Sequence, residues 1–359
     1  MKFFCLFLIM TFCTSCYTLE QSYEQVKLLL TAEQLSTAIE KNKDIPSRAQ
    51  KLNLVEPVLN YAQTAIGLTP KESYKKFVEL KSPYVVWVVQ ASCKRSLKLK
   101  TWWFPFVGKQ PYLGFFNKEN AAIEQMKLKS ENYDVSLGGV KAFSLLGYFD
   151  DPLYSSMLDN VTVPTFIETL IHETVHRTIY VKGDYAFNEN LANFIARKAT
   201  ANFLKIHPEV GVSSENYIEQ FKKNLIAQQK FHDFTMQTKK NLDKFYAEIN
   251  ADQHYKDESE FLKIRQNKFD SISNDYLLFM NGTEKNTNYE FAFSKGKFNN
   301  AVLLSYAVYE EDQKPLEDIF VKSNSDLKVM VNKMKRCLDK NGGGDKKVWS
   351  FLSTCFNGS

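Results

Sequence analysis

The chain has 359 residues, 44% of them hydrophobic and 14% aromatic, enough for a large buried core. Lys and Arg number 46 against 41 Asp and Glu, and the resulting net charge of +5 is too small at this length for a dedicated nucleic-acid binder. Past the N-terminus no segment is apolar for long enough to cross a bilayer as a helix.

At the N-terminus, Lys2 is a minimal positive region and Phe3 to Phe12 a short apolar one. Cys13-Thr14-Ser15-Cys16 then reads as a relaxed lipobox, with Cys13 where Leu is usual. We therefore expect residues 1–15 to leave as a signal peptide and Cys16 to be lipidated. Tyr17, not Asp, follows Cys16, which favours the outer membrane. An ordinary cleaved signal is the alternative.

Residues 16–160 are expected to hold an N-terminal helical segment, to about residue 80, followed by a sheet. Tyr84 to Val89 and Thr101 to Phe116 are rich in β-branched and aromatic residues, with Pro and Gly punctuation. Asp134 to Phe149 reads as strand with a turn at Gly138-Gly139. Residues 161–210 are expected to form a helix pair. Phe166, Ile167, Leu170, Ile171, Val175 and Ile179 form an apolar stripe at helical spacing. Thr165 and Glu168 fit a capping box behind Pro164, and Lys182-Gly183-Asp184 a stop. The second helix of the pair opens near Asn188 and runs to Ile206, with small Ala192, Ala196 and Ala199 suited to close packing.

Residues 211–285 read as a long helical hairpin, with Ile218, Phe221, Leu225, Phe231, Phe234, Leu242, Phe245 and Ile249 spaced along its first arm. Residues 286–359 complete a helical C-terminal half, and 161–359 is expected to form one unit with the sheet. Its basic stretches, Lys333 to Arg336 and Lys346-Lys347, read as a solvated face. Of the cysteines left after export, Cys337 and Cys355 flank Gly342-Gly343-Gly344 and could pair, leaving Cys93 as a buried thiol.

The chemistry lies in His172-Glu173-Thr174-Val175-His176, an H-E-x-x-H pattern. Positions i and i+4 share a helix face, so both imidazoles can reach one metal ion. Glu173 lies beside them, placed to act as a base toward an attacking water. A catalytic zinc site needs a third protein ligand. Glu189, 13 positions after His176, is the candidate, and a solvated carboxylate at a helix start is the bland alternative.

H-E-x-x-H followed by Asn188-Glu189-x-x-Ala192 resembles the signature of the gluzincin metallopeptidases, at shorter spacing than thermolysin-like enzymes. The chain resembles a bacterial predicted-aminopeptidase family whose members are often lipoproteins. Supporting stretches include Pro83 to Trp87, Gly138-Gly139-Val140, Leu146 to Leu153, Tyr180 to Asp184 and Asn299-Asn300-Ala301. The resemblance implies a helix-rich α+β fold with a zincin-like core, a small sheet beside the H-E-x-x-H helix. It implies one zinc per chain, held by His172, His176 and Glu189. It also implies an edge strand for a peptide substrate, for which Ala142 to Leu145 is the candidate, against a core strand of the same sheet.

Asn193 stands where an Asp often orients a zinc histidine. Because Asn299-Asn300-Ala301 to Tyr309 resembles the family's C-terminal motif, Tyr309 is the candidate donor to the oxyanion. Tyr148 and Tyr180, the latter spaced to share the metal face of its helix, are in competition, and a core or rim aromatic is the alternative for each. Asp150 or Asp151 is the candidate for holding a substrate α-ammonium, against a turn role before Pro152. The implied function is zinc-dependent peptide hydrolysis at the cell envelope, as an aminopeptidase. The partners would be a peptide substrate and the membrane lipid. An endopeptidase, another zinc hydrolase or a non-catalytic lipoprotein module would share these features.

Overall fold

The computed structural model describes residues 17–104, 107–143, 150–207, 214–280, 289, 292–307, 313–340 and 348–357. Cys16, Tyr148, Tyr309, the Gly342-Gly343-Gly344 turn and Lys346-Lys347 lie outside them. The chain is a helix-rich α+β protein. Among the described residues no helix is long and apolar enough to cross a membrane.

The N-terminal part is helical with interruptions. Helix α1 covers residues 17–30, α2 Leu35–Lys41 and α3 Pro46–Tyr61. The expected helical run to residue 80 is broken by two short strands, β1 (Glu33–Gln34) and β2 (Lys76–Val78). They pair with each other antiparallel, and β2 pairs parallel with β8 (Leu153–Tyr154). The parallel partner lies about 75 residues downstream, so no local pattern announces it.

The second sheet is formed by β3 (Val86–Ser92), β6 (Leu113–Phe115) and β7 (Asp134–Val140), with β3 in the middle. Between its strands lie a hairpin, β4 (Trp102–Phe104) with β5 (Gly108–Gln110), and helix α4 (Lys118–Ser130). Gly138 and Gly139 are not a turn: they lie within β7, opposite Val88 and Trp87. A Cβ at Gly139 would stand 2.2 Å from the Tyr84 ring, so that glycine clears space for an aromatic. Ala142 and Phe143, half-buried against the main core, lie past the end of β7 and outside any strand; residues 144 and 145 are not described.

Helices α5 (Val163–Thr178) and α6 (Tyr185–Ile206) follow. The cap of α5 is Thr162, whose hydroxyl accepts from the Thr165 amide, not the expected Thr165 and Glu168 box. Glu168 instead pairs with Arg197 of α6 at 3.7 Å. Helix α5 ends at Thr178, earlier than expected, because Ile179 is already extended. Asp184 is a helix start: its carboxylate accepts from the Phe187 amide and caps α6. Ala192, Ala196 and Ala199 are fully buried in the main core with Leu170, Ile171 and Val175 of α5.

The long hairpin is α7 (Ser214–Ala251) and α8 (Glu258–Met280), as expected. It has its own aromatic core around Phe231, Tyr276 and Phe293, which α9 (Asn300–Ala307) joins through Leu303. The C-terminal helices α10 (Lys314–Lys322), α11 (Leu327–Lys340) and α12 (Val348–Asn357) return to the main core through Leu316, Met330, Met334 and Leu352. A Cys337–Cys355 disulfide joins the last two. Cys93 is half-buried, so the expectation of a fully buried thiol fails.

Candidate metal centre

The centre arises where α5 and α6 pack antiparallel. His176 faces Glu189 near one end of the pair, and Glu168 faces Arg197 further along. His172 and His176, one turn apart, project the same way. Their Nε2 atoms are 3.0 Å apart. Glu189 meets both: Oε2 lies 3.4 Å from His172 Nε2 and Oε1 3.3 Å from His176 Nε2. Ligands about 2.0–2.1 Å from a tetrahedral zinc are separated by roughly 3.3–3.4 Å. The three donor atoms lie close to that spacing, all within 4.8 Å of one another. The donor set, two imidazoles and a carboxylate, and its spacing therefore fit one zinc ion.

The electrostatics of the chain alone are set by burial working against the mutual contact of these groups. Burial pushes the Glu189 carboxyl up, but the charge and hydrogen bonds of the two imidazoles outweigh it and hold the group well below the usual carboxylate range. Burial likewise opposes charging His172, yet contact with Glu189 raises its pKa on balance. Glu173 points beside the cluster without joining it. Desolvation raises its carboxyl above the ordinary value, against the pull of the two histidines.

The loop between α5 and α6 is held from two sides, by Asn188 and by the β4–β5 hairpin. Asn188, buried and adjacent to Glu189, accepts from the Val181 amide and donates to the Val181 carbonyl, both at 2.8 Å. The Gly183 amide donates to Val107 O at 3.3 Å. Gly108 has φ +77, and a Cβ there would come within 3.1 Å of Gly183 N, so the β4–β5 hairpin sits directly on this loop. Gln110 Nε2 donates to Val107 O and to the Tyr180 hydroxyl. Tyr180 lies past the end of α5, so the expectation that it continues the metal face of that helix fails.

The C-terminal end of α5, next to His176, is tied to the N-terminal part. The Thr178 hydroxyl accepts from the Thr69 amide at 2.9 Å, and Arg177 donates to Asp150 at 2.5 Å. Asp150 is thus engaged by a guanidinium. Asp151 is buried; its amide donates to Ser73 Oγ and its carbonyl accepts from the Tyr74 amide. Tyr74 and Tyr154 are buried, and both hydroxyls are raised, first by desolvation and then by the negative charges of Asp151 and Glu173. These two tyrosines lie within electrostatic range of the candidate base and were not singled out by sequence reasoning, because the turns and strands that bring them there are non-local. Asn193 is half-buried, one turn after Glu189 on α6.

No curated protein and no solved structure matches the chain. The family described as "Putative aminopeptidase" matches it over residues 16–347. The match spans α5 and α6, the sheet and the helical hairpin, and the chain belongs to that peptidase family.

Proposed function

We propose that the protein is a zinc-dependent aminopeptidase of gluzincin type, held at the bacterial envelope by a lipid on Cys16. The observation that carries the metallopeptidase reading is the closure of His172, His176 and Glu189 into one cluster with Glu173 beside it. Those three residues would hold a single zinc ion, whose chemistry when bound is to polarise the scissile carbonyl and acidify the attacking water. Glu173 accepts a proton from that water as the new C–O bond forms. It then delivers the proton to the amine nitrogen as the C–N bond breaks.

Asn193 is assigned the orientation of a ligand histidine. Tyr309 is assigned the donor to the tetrahedral oxyanion, on the resemblance in its stretch of sequence. Of the two acids considered for the substrate α-ammonium, Asp150 already pairs with Arg177. Asp151 is buried, with its main chain held by Ser73 and Tyr74, and the Asp150–Asp151 pair is assigned that role without a choice between its two acids.

The test is metal analysis together with hydrolysis of matched peptides with free and N-acetylated termini. We expect one zinc per chain and cleavage of the free peptides only. Equal cleavage of both would make the enzyme an endopeptidase. Protein that neither contains nor takes up zinc would end the metallopeptidase reading.

A further inference from the structure

We propose that helix α1 lies along the bilayer surface and fixes the orientation of the protein on it. The inference rests on the lipid anchoring of Cys16 proposed above. Leu19, Tyr23, Val26 and Leu30 are 68%, 66%, 55% and 81% exposed. Their spacing of i, i+4, i+7 and i+11 puts all four within an arc of about 60°, in a stripe roughly 16 Å long. A soluble helix turns such a stripe toward its core. Here the opposite face is the one packed. The Tyr17 hydroxyl donates to Gly114 O at 2.6 Å and accepts from Gly114 N at 3.0 Å. Gln21 Oε1 accepts from the Phe116 amide at 3.2 Å, and Leu28 packs on the main core.

The helix is therefore fastened to the body by one face and presents its apolar face outward. Helix α4, bonded to α1 through Asn120 and Glu20, also exposes Ile123 and Met126, at 65% and 70%.

The position of Cys16 selects the occupant. Leu19 is three residues from it, less than one helical turn or about 5 Å along the axis. Acyl chains attached at Cys16 would bring the start of the stripe to the bilayer surface. An amphipathic helix there buries its apolar face about 5–10 Å into the boundary between headgroups and acyl chains.

The test uses the full chain, expressed with its leader and reconstituted into phosphatidylethanolamine–phosphatidylglycerol vesicles. Nitroxides are placed singly by Leu19→Cys, Tyr23→Cys, Val26→Cys or Leu30→Cys in a Cys93→Ser background. Glu248→Cys on α7, where the side chain is 65% exposed, is the aqueous control. We expect the four stripe labels to be open to oxygen and shielded from a nickel chelate, and the control to show the reverse. Stripe labels as open to nickel as the control, in protein that floats with the vesicles, would overturn the inference and leave the anchor standing. Dipolar broadening that grows with protein density would assign the stripe to a second copy and also overturn it. Intact mass without acyl groups on Cys16 would overturn the anchor, and the inference with it.

Discussion

Asn188 bonds both main-chain polar groups of Val181 and is followed directly by Glu189, so one amide side chain sets the loop and positions that carboxylate. Asn188→Ala leaves a buried N–H and C=O without their partner, which costs about 1–3 kcal/mol of stability. It should also weaken zinc binding by about 10–100-fold, as loss of an outer support to a ligand does. Urea unfolding and chelator competition measure the two effects. Glu173 and Glu189 should fail differently when replaced. Glu173→Gln should keep its zinc and lose about 10²–10⁴-fold in turnover, the usual contribution of a placed base. Glu189→Ala should lose zinc affinity, with activity partly restored by excess metal. Full zinc occupancy in Glu189→Ala would remove Glu189 from the site; normal turnover in Glu173→Gln would remove the proposed mechanism.

At the scale of elements, the hairpin and the sheet are joined by a buried polar network. Arg265 of α8 pairs with Asp134 at the start of β7 and bonds the Tyr246 hydroxyl on α7. Asn300, the first residue of α9, donates its amide to Asp134 and its side chain to Cys93 O, and accepts from Tyr246. Arg265→Met would leave the Asp134 carboxylate buried with little compensation, a loss of about 3–5 kcal/mol. Adding Asp134→Asn should recover a large part of it, and urea denaturation of the single and double variants checks the coupling.

The same network shows what could be read in advance. Asn299-Asn300-Ala301 was visible as a family stretch, but the described part of it is an anchor between elements, a role that needs the three-dimensional partners to be seen. Helices α5 and α6 were legible because each carries a long apolar stripe and small residues at the packing positions. The shared face of His172 and His176 was legible because i, i+4 spacing on a helix is a local constraint. The cap at Thr162 was missed because two threonines compete at the same helix start. The parallel β2–β8 pair, and with it the burial of Tyr74 and Tyr154, depends on contacts that span about 75 residues and leave no periodic mark.

For the molecule as a whole, the C-terminal helices support the metal helices from behind. Trp349 of α12 packs edge-on against Phe187, two residues before Glu189, and Phe320 of α10 against Phe194. The Cys337–Cys355 disulfide ties α12 to α11 across 18 positions of sequence. Closing a loop of that length restricts the unfolded chain by an amount worth about 3 kcal/mol in the chain-entropy account. A Cys337→Ser, Cys355→Ser variant should therefore melt roughly 5 °C lower than the oxidised parent. Because the disulfide reaches Glu189 through Trp349 and Phe187, the variant should also release zinc to a chelator faster at temperatures below its melting point. The check is calorimetry alongside chelator-monitored zinc release, with and without reductant. Reductant should reproduce the variant's behaviour in the parent and leave the variant unchanged. If the melting temperature falls while zinc release stays at the parental rate, the C-terminal helices stabilise the fold without supporting the metal centre.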